Sequence, residues 1–169
     1  MNTAAGTGAM TTSRDIRALL EAVADPEIPV LSVMDLGIVR DVTVHPHGVE
    51  VSIAPTYTGC PATEVIERMI VVELERHGIS GVTIKRVLSP PWTTDWLTEA
   101  GRRKLSAYGI APPAGGTSKR NLLLPGLEIR CPRCSTGDTT RVSEFGSTPC
   151  KAAYKCNECL EPFEYFKCI

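Results

Sequence analysis

No stretch of this 169-residue sequence stays apolar for the roughly 18–20 residues that a membrane-crossing helix needs. Met1 to Thr12 lacks a basic region followed by an apolar run, so a secretory leader is not expected. Charge of one sign is not in excess either: the net charge is −1, so no global field favours nucleic acid or an anionic membrane. A Gly-x-Gly-x-x-Gly turn is missing, which excludes the common dinucleotide-binding fingerprint. So is a pair of Glu-x-x-His motifs, which excludes a di-iron carboxylate bundle. The loop Pro55 to Pro61 has no Lys after its glycine and is not a phosphate-binding P-loop. What remains is an ordinary globular composition, 43% apolar, with seven cysteines. An odd count argues against a full disulfide framework and for a reducing compartment. The expectation is a cytoplasmic protein with neither a nucleic-acid nor a membrane partner.

Residues 1–12 read as a disordered tail. With Ser13 as N-cap, Ile16, Leu19, Leu20 and Val23 make one apolar helix face, ended by Pro26. Val42 and Val44 alternate with Thr43 and His45, and Val49, Val51 and Ile53 alternate with Glu50 and Ser52. With Pro46-His47-Gly48 between them, they predict an antiparallel hairpin. A second helix is expected from Pro61 to about His77, burying Ile66, Met69, Ile70 and Leu74. A third strand follows over Val82 to Leu88, then helical pieces over 94–108 that break around Gly101. Residues 109–126 lose periodicity and gather Pro and Gly, the mark of a linker. The fold class is therefore α+β: a small α/β sandwich-like domain (β-hairpin, helix, third strand) over 13–108, then a small all-β domain over 127–169.

That last segment carries Cys131-Pro132-Arg133-Cys134 and Cys156-Asn157-Glu158-Cys159, with 21 residues between the pairs. The spacing is that of a four-cysteine zinc ribbon. About forty residues cannot bury enough apolar surface to fold unaided, so a structural zinc would supply the missing free energy. Iron in a rubredoxin-like centre fits the same spacing, and redox-active pairs are a third reading. Cys150 and Cys168 are spare: buried or incidental thiols, Cys150 near the ribbon metal without binding it. Six Lys or Arg balance six Asp or Glu over 127–169, so no phosphate-binding footprint exists. Tyr154, Phe163, Tyr165 and Phe166 alternate in strand fashion and are expected to pack on each other.

Cys60 stands apart, at the start of the second helix. Free N–H groups and the helix dipole there favour a thiolate, which is a nucleophile and a soft-metal ligand. A catalytic thiol would want a base, yet His45 and His47 flank a turn and His77 ends a helix. Asp25, Glu27 and Asp35 lie in irregular segments. Each is read either as a turn former or as a carboxylate that faces Cys60 as ligand or proton acceptor.

Three ordered motifs bear a resemblance: Asp25-Pro26-Glu27-Ile28-Pro29-Val30, Asp35-Leu36-Gly37-Ile38-Val39 and Thr56-Tyr57-Thr58-Gly59-Cys60-Pro61. Residues 13–108 resemble the SufT-like, MIP-type iron–sulfur assembly domain. With Ser147 to Ala152, the second cysteine pair and Glu161 to Cys168, nearly the whole chain resembles the PaaD family of the bacterial phenylacetyl-CoA epoxidase system. The resemblance implies a mixed sheet with helices on one side and an accessory role in phenylacetate degradation, without catalysis of its own. It implies help in assembling or maintaining the cluster of that system's iron–sulfur flavoprotein reductase, with the oxygenase subunits as further partners. Cys60, assisted by Asp25 or Asp35, would handle iron or an iron–sulfur cluster transiently. A non-catalytic scaffolding component and a thiol enzyme are the alternatives.

Overall fold

The computed structural model describes residues 12–57, 59–113 and 128–167. Most of the expected tail, most of the expected linker and Cys168 lie outside the described residues.

Helix α1 spans Ser13–Leu20. Its cap is Thr12 rather than Ser13: the Thr12 hydroxyl accepts from Asp15 N, and the Asp15 carboxylate accepts from Thr12 N at 2.8 Å. This reciprocal box satisfies two otherwise orphaned amides. The helix stops short of Pro26 because the chain turns back on itself. Ala24 bridges Ser32, Val33 N donates to Val23 O, and Asp25 N donates to Leu31 O. Those bonds replace the helical ladder and hold residues 25–32 as a closed loop.

Strands β1 (Val39–His45) and β2 (Gly48–Ile53) form the expected antiparallel hairpin. Helix α2 (Ala62–Arg76) then crosses back to β3 (Val82–Arg86), which lies parallel to β2. The sheet is mixed, in the order β1-β2-β3. Ile16 and Leu20 of α1 and Ile66, Ile70 and Leu74 of α2 meet Val42, Val49, Val51 and Ile53 in one core. Val44, expected inward, remains 41% exposed beside the hairpin turn of an edge strand.

The 94–108 region is indeed two pieces, but the break is not at Gly101. A 3-10 turn covers Thr94–Trp96, and α3 spans Glu99–Tyr108 with Thr98 as its cap. Gly101 lies inside α3, where a Cβ would stand 3.1 Å from the Asp35 carbonyl oxygen. Its small size serves close packing. Gly37 has φ +67°, and a Cβ there would lie 2.2 Å from Trp96 O.

Ile110–Ala111, expected in the linker, form β4. This short strand joins a second sheet with β5 (Thr139–Ser143), β6 (Lys151–Cys156) and β7 (Pro162–Phe166), in the order β4-β7-β6-β5. Tyr154 stacks on Phe163 and meets Tyr165 edge-on, both at 5.8 Å, as the alternation predicts. Phe166 does not join them. It packs edge-on against Trp92 in the first core, ring centres 6.2 Å apart. The architecture is thus a mixed α/β unit with a strand-rich C-terminal unit fastened to it by a strand and a shared core.

Candidate metal centre and thiol site

Two tight turns at one end of the second sheet present the paired cysteines. Each pair is followed by a non-glycine residue in the left-handed region, Ser135 at φ 64° and Leu160 at φ 62°. The turns curl so that backbone donors face sulfur: Cys159 N lies 3.4 Å from Cys156 Sγ. The four sulfurs of Cys131, Cys134, Cys156 and Cys159 all lie within 4.8 Å of one another. Cys131 Sγ is 3.7 Å from Cys159 Sγ, and Cys134 Sγ is 3.5 Å from Cys156 Sγ. A tetrahedron with zinc–thiolate bonds of about 2.3 Å puts its sulfurs about 3.8 Å apart. The donor set therefore fits zinc. Four thiolates close the coordination sphere, so the ion would supply folding free energy rather than a reactive position.

Cys60 precedes α2. It is half-buried, Pro61 serves as the helix cap, and Thr63 N donates to Cys60 O at 3.2 Å. With Asp25, Ile38, Ile53, Thr63 and Ile66 it lines a cavity of about 20 Å³. That is room for one water-sized atom. Asp25 is the turn former, one of its two readings, and it lines the same cavity as Cys60. Its Oδ1 accepts from Glu27 N at 2.8 Å and from Ile28 N at 2.7 Å, which shapes the 25–32 loop. Burial pushes its carboxyl up, against the pull of those two amides and of Lys151. Among the described residues no histidine approaches: His45, His47 and His77 are all exposed.

Asp35 does not line the cavity. It accepts from Ser32 N and Ser32 Oγ, both at 3.0 Å, and pairs with the Lys104 ammonium. Burial alone would raise its carboxyl, but Lys104 and Ser32 outweigh burial and the net shift is down. Asp35 thus ties the first loop to α3. A carboxylate whose folded pKa is depressed contributes stability above its unfolded pKa of about 3.9 and loses it as pH falls through the folded value. Asp35→Asn is expected to destabilise the fold by about 1.5–3 kcal/mol at pH 7, the range for bonds to charged groups. Urea midpoints should show the gap between variant and wild type narrowing below about pH 4. A gap independent of pH would refute the role of the charge.

Cys150 is a buried thiol as expected, 5% exposed, but it belongs to the first core and is not one of the four clustered ribbon sulfurs. Its Sγ lies 3.8 Å from Glu27 Oε2. The only signal in the sequence was an unpaired cysteine in an odd count.

Comparison with known proteins adds the relationships. The profile described as iron–sulfur cluster assembly protein matches residues 13–85, and the PaaD zinc β-ribbon profile matches residues 116–167. The Escherichia coli (strain K12) protein assigned as the D component of 1,2-phenylacetyl-CoA epoxidase is 50% identical over 155 residues, 92% of each chain. An Fe-S protein maturation auxiliary factor of Porphyromonas gingivalis is 36% identical over 98 residues, 57% of this chain and 92% of that one. The crystal structure of a DUF59 domain from Bacillus anthracis superposes with a TM-score of 0.52 at 26% identity, covering 55% of this chain and 90% of that one. With an iron–sulfur-assembly profile followed by the PaaD zinc-ribbon profile, and 50% identity over 92% of its length to that Escherichia coli protein, this chain belongs to the PaaD family.

Proposed function

We propose that this chain is a non-catalytic accessory factor of a phenylacetyl-CoA epoxidase system, and that it assembles or maintains the iron–sulfur cluster of the system's flavoprotein reductase. Cys60 takes up iron or cluster transiently, Asp25 beside it accepts the thiol proton or a metal bond, and the ribbon docks the client. The observation that carries this reading is the convergence of Cys60 and Asp25 on one small cavity in an iron–sulfur-assembly fold. The site has a soft donor and a hard one but no histidine base among the described residues, which suits metal handling better than acyl or redox turnover. The cavity admits an atom rather than an aromatic thioester, so phenylacetyl-CoA itself is not the cargo.

The test is reductase produced in cells that carry wild-type chain, Cys60→Ser chain or none. Cluster absorbance per flavin is expected to be full with the wild type. With Cys60→Ser it should fall to the level found without the chain. Full clusters with Cys60→Ser, together with stable co-purification, would overturn the reading and leave a scaffolding component.

A further inference from the structure

The Cys60 cavity is sized for an atom and not for a cluster. Its volume of about 20 Å³ exceeds the roughly 10–15 Å³ that one water needs and is too small for a second. Much of its wall is aliphatic: Leu36, Ile38, Ile53 and Ile66 line it and are each at most 5% exposed. Its buried polar side chains are Asp25, 8% exposed, and Thr63, 9% exposed. Among the described residues, both hydrogen bonds to the Asp25 carboxylate end on Oδ1, at 2.8 and 2.7 Å. That leaves Oδ2 for the cavity that the side chain lines.

A metal ion is incompletely held by this chain alone at such a place. Transition-metal ions take roughly four to six ligands in regular geometries. Among the described residues, only the ribbon cysteines form a donor set of three or more. Iron at Cys60 therefore completes its shell with donors of the client. A sulfur atom bonded to Cys60 Sγ needs no shell. One covalent bond holds it, and soft, polarisable sulfur packs well against aliphatic carbon. Gly59 and Pro61, on either side of Cys60, are exposed, so a sulfur donor has access to the thiol.

We propose that Cys60 takes up a sulfane sulfur and holds it as a persulfide, with the outer sulfur lodged in this cavity. This rests on reading Cys60 as the working thiol of cluster assembly, and sulfur is then the cluster component that the chain can hold by itself. The donor is a persulfide, R–S–SH, of a small thiol or of a protein cysteine. The Cys60 thiol attacks its outer sulfur while Asp25 takes the thiol proton. The bond from Cys60 Sγ to that sulfur forms and the donor's S–S bond breaks. R–S⁻ leaves with the electron pair and regains the proton from Asp25, so the exchange involves no net oxidation or reduction. Release as sulfide takes two electrons, from a dithiol. One of its thiolates attacks Cys60 Sγ and expels HS⁻; the second closes a disulfide and frees Cys60.

The experiment treats the zinc-loaded full chain anaerobically with glutathione persulfide, removes the excess and maps added sulfur to its cysteine by peptide mass. Wild type should gain one sulfur on Cys60, and Cys60→Ser none at that position. Asp25→Asn keeps a carbonyl oxygen for Glu27 N and Ile28 N, so the loop should hold. Its sulfur uptake should slow by roughly 10²–10⁴-fold, the range for a positioned proton acceptor. Thr63→Ile fills the cavity and leaves the thiol in place, and persulfide occupancy should drop roughly 10-fold or more. Thr63→Val, of wild-type size, should keep it, and matching far-ultraviolet dichroism of the two variants excludes misfolding as the cause. Sulfur that stays on Cys60 in Thr63→Ile would mean that the cavity houses water only, and this inference fails. It fails equally if wild type takes no sulfur on Cys60. The proposed function survives both results if reductase clusters still depend on Cys60. Clusters that form fully with Cys60→Ser, beside a wild type that holds the sulfur, would instead overturn that function and leave a sulfane-sulfur site.

Discussion

Removing zinc is expected to unfold the C-terminal unit and to loosen the first unit with it. The chelated protein, or Cys156→Ser, should lose one zinc per chain and amide protection across β5, β6 and β7. Structural zinc contributes about 10–16 kcal/mol of apparent binding free energy at pH 7. A domain's whole stability is about 5–15 kcal/mol, so the ribbon has nothing comparable to fall back on. Its own core is small: Ala111, Ile129, Cys131, Cys156, Phe163 and Tyr165, with Tyr154 against it. Two of those six are zinc ligands. Cys156 is fully buried, so the ion is embedded in the core it organises. The effect should spread because β4 pairs with β7, and because Cys150 and Phe166 belong to the first core. Acid should reproduce it, since thiolates must be protonated to release the metal. Hydrogen exchange with metal analysis decides the matter. A zinc-free chain that keeps protection over residues 139–166 would show that the ribbon folds without its ion.

How far the sequence could be read depended on whether each signal was local. The hairpin, α2 and the two cysteine turns announce themselves in short windows, through alternation, helical spacing and paired thiols. Even the capping of α3 is local, though Gly101 misled: its role is a close approach to Asp35, 66 residues away in the chain. The joint between the units has no local signature. Cys150 and Glu27 are 123 residues apart, and β4 is two residues long. Neither leaves a period to detect. Phe166 is the instructive case. Strand alternation puts Phe163 and Tyr165 on one face of β7 and Phe166 on the other. The expectation that all four aromatics would pack together overlooked this alternation, which excludes Phe166 from the cluster and says nothing of what it would meet. Sequence pointed to Cys60 at a helix start and to Asp25 in a loop, and both line the same cavity. Asp35 looks equivalent to Asp25 in sequence, but it pairs with Lys104 and lies outside that lining.

The second large effect is expected at that joint. Phe166 is 1% exposed and lies edge-on to Trp92, the planes 86° apart. Trp92 is fixed independently, its indole N–H donating to Leu36 O at 2.9 Å. It will hold its place when its partner is cut away, and a cavity will remain. Phe166→Ala should therefore cost the full range for a buried aromatic, about 3–5 kcal/mol. Part of that is the ring pair itself, about 0.5–1.5 kcal/mol. Phe163→Ala removes the same side chain from the same strand but from the ribbon's inner face, where it stacks on Tyr154. It should weaken the ribbon and leave the joint. The two variants thus separate the stability of a unit from the coupling between units. With Phe166→Ala, thermal unfolding should split into two transitions and Trp92 emission should shift to the red as water enters. With Phe163→Ala, Trp92 emission should not move below the ribbon's own transition. Phe166→Leu should recover part of the loss by filling part of the space. A single transition in Phe166→Ala, with a change below about 1 kcal/mol, would mean that strand pairing alone couples the units. The ring contact would then be incidental to how the ribbon is held against the first unit.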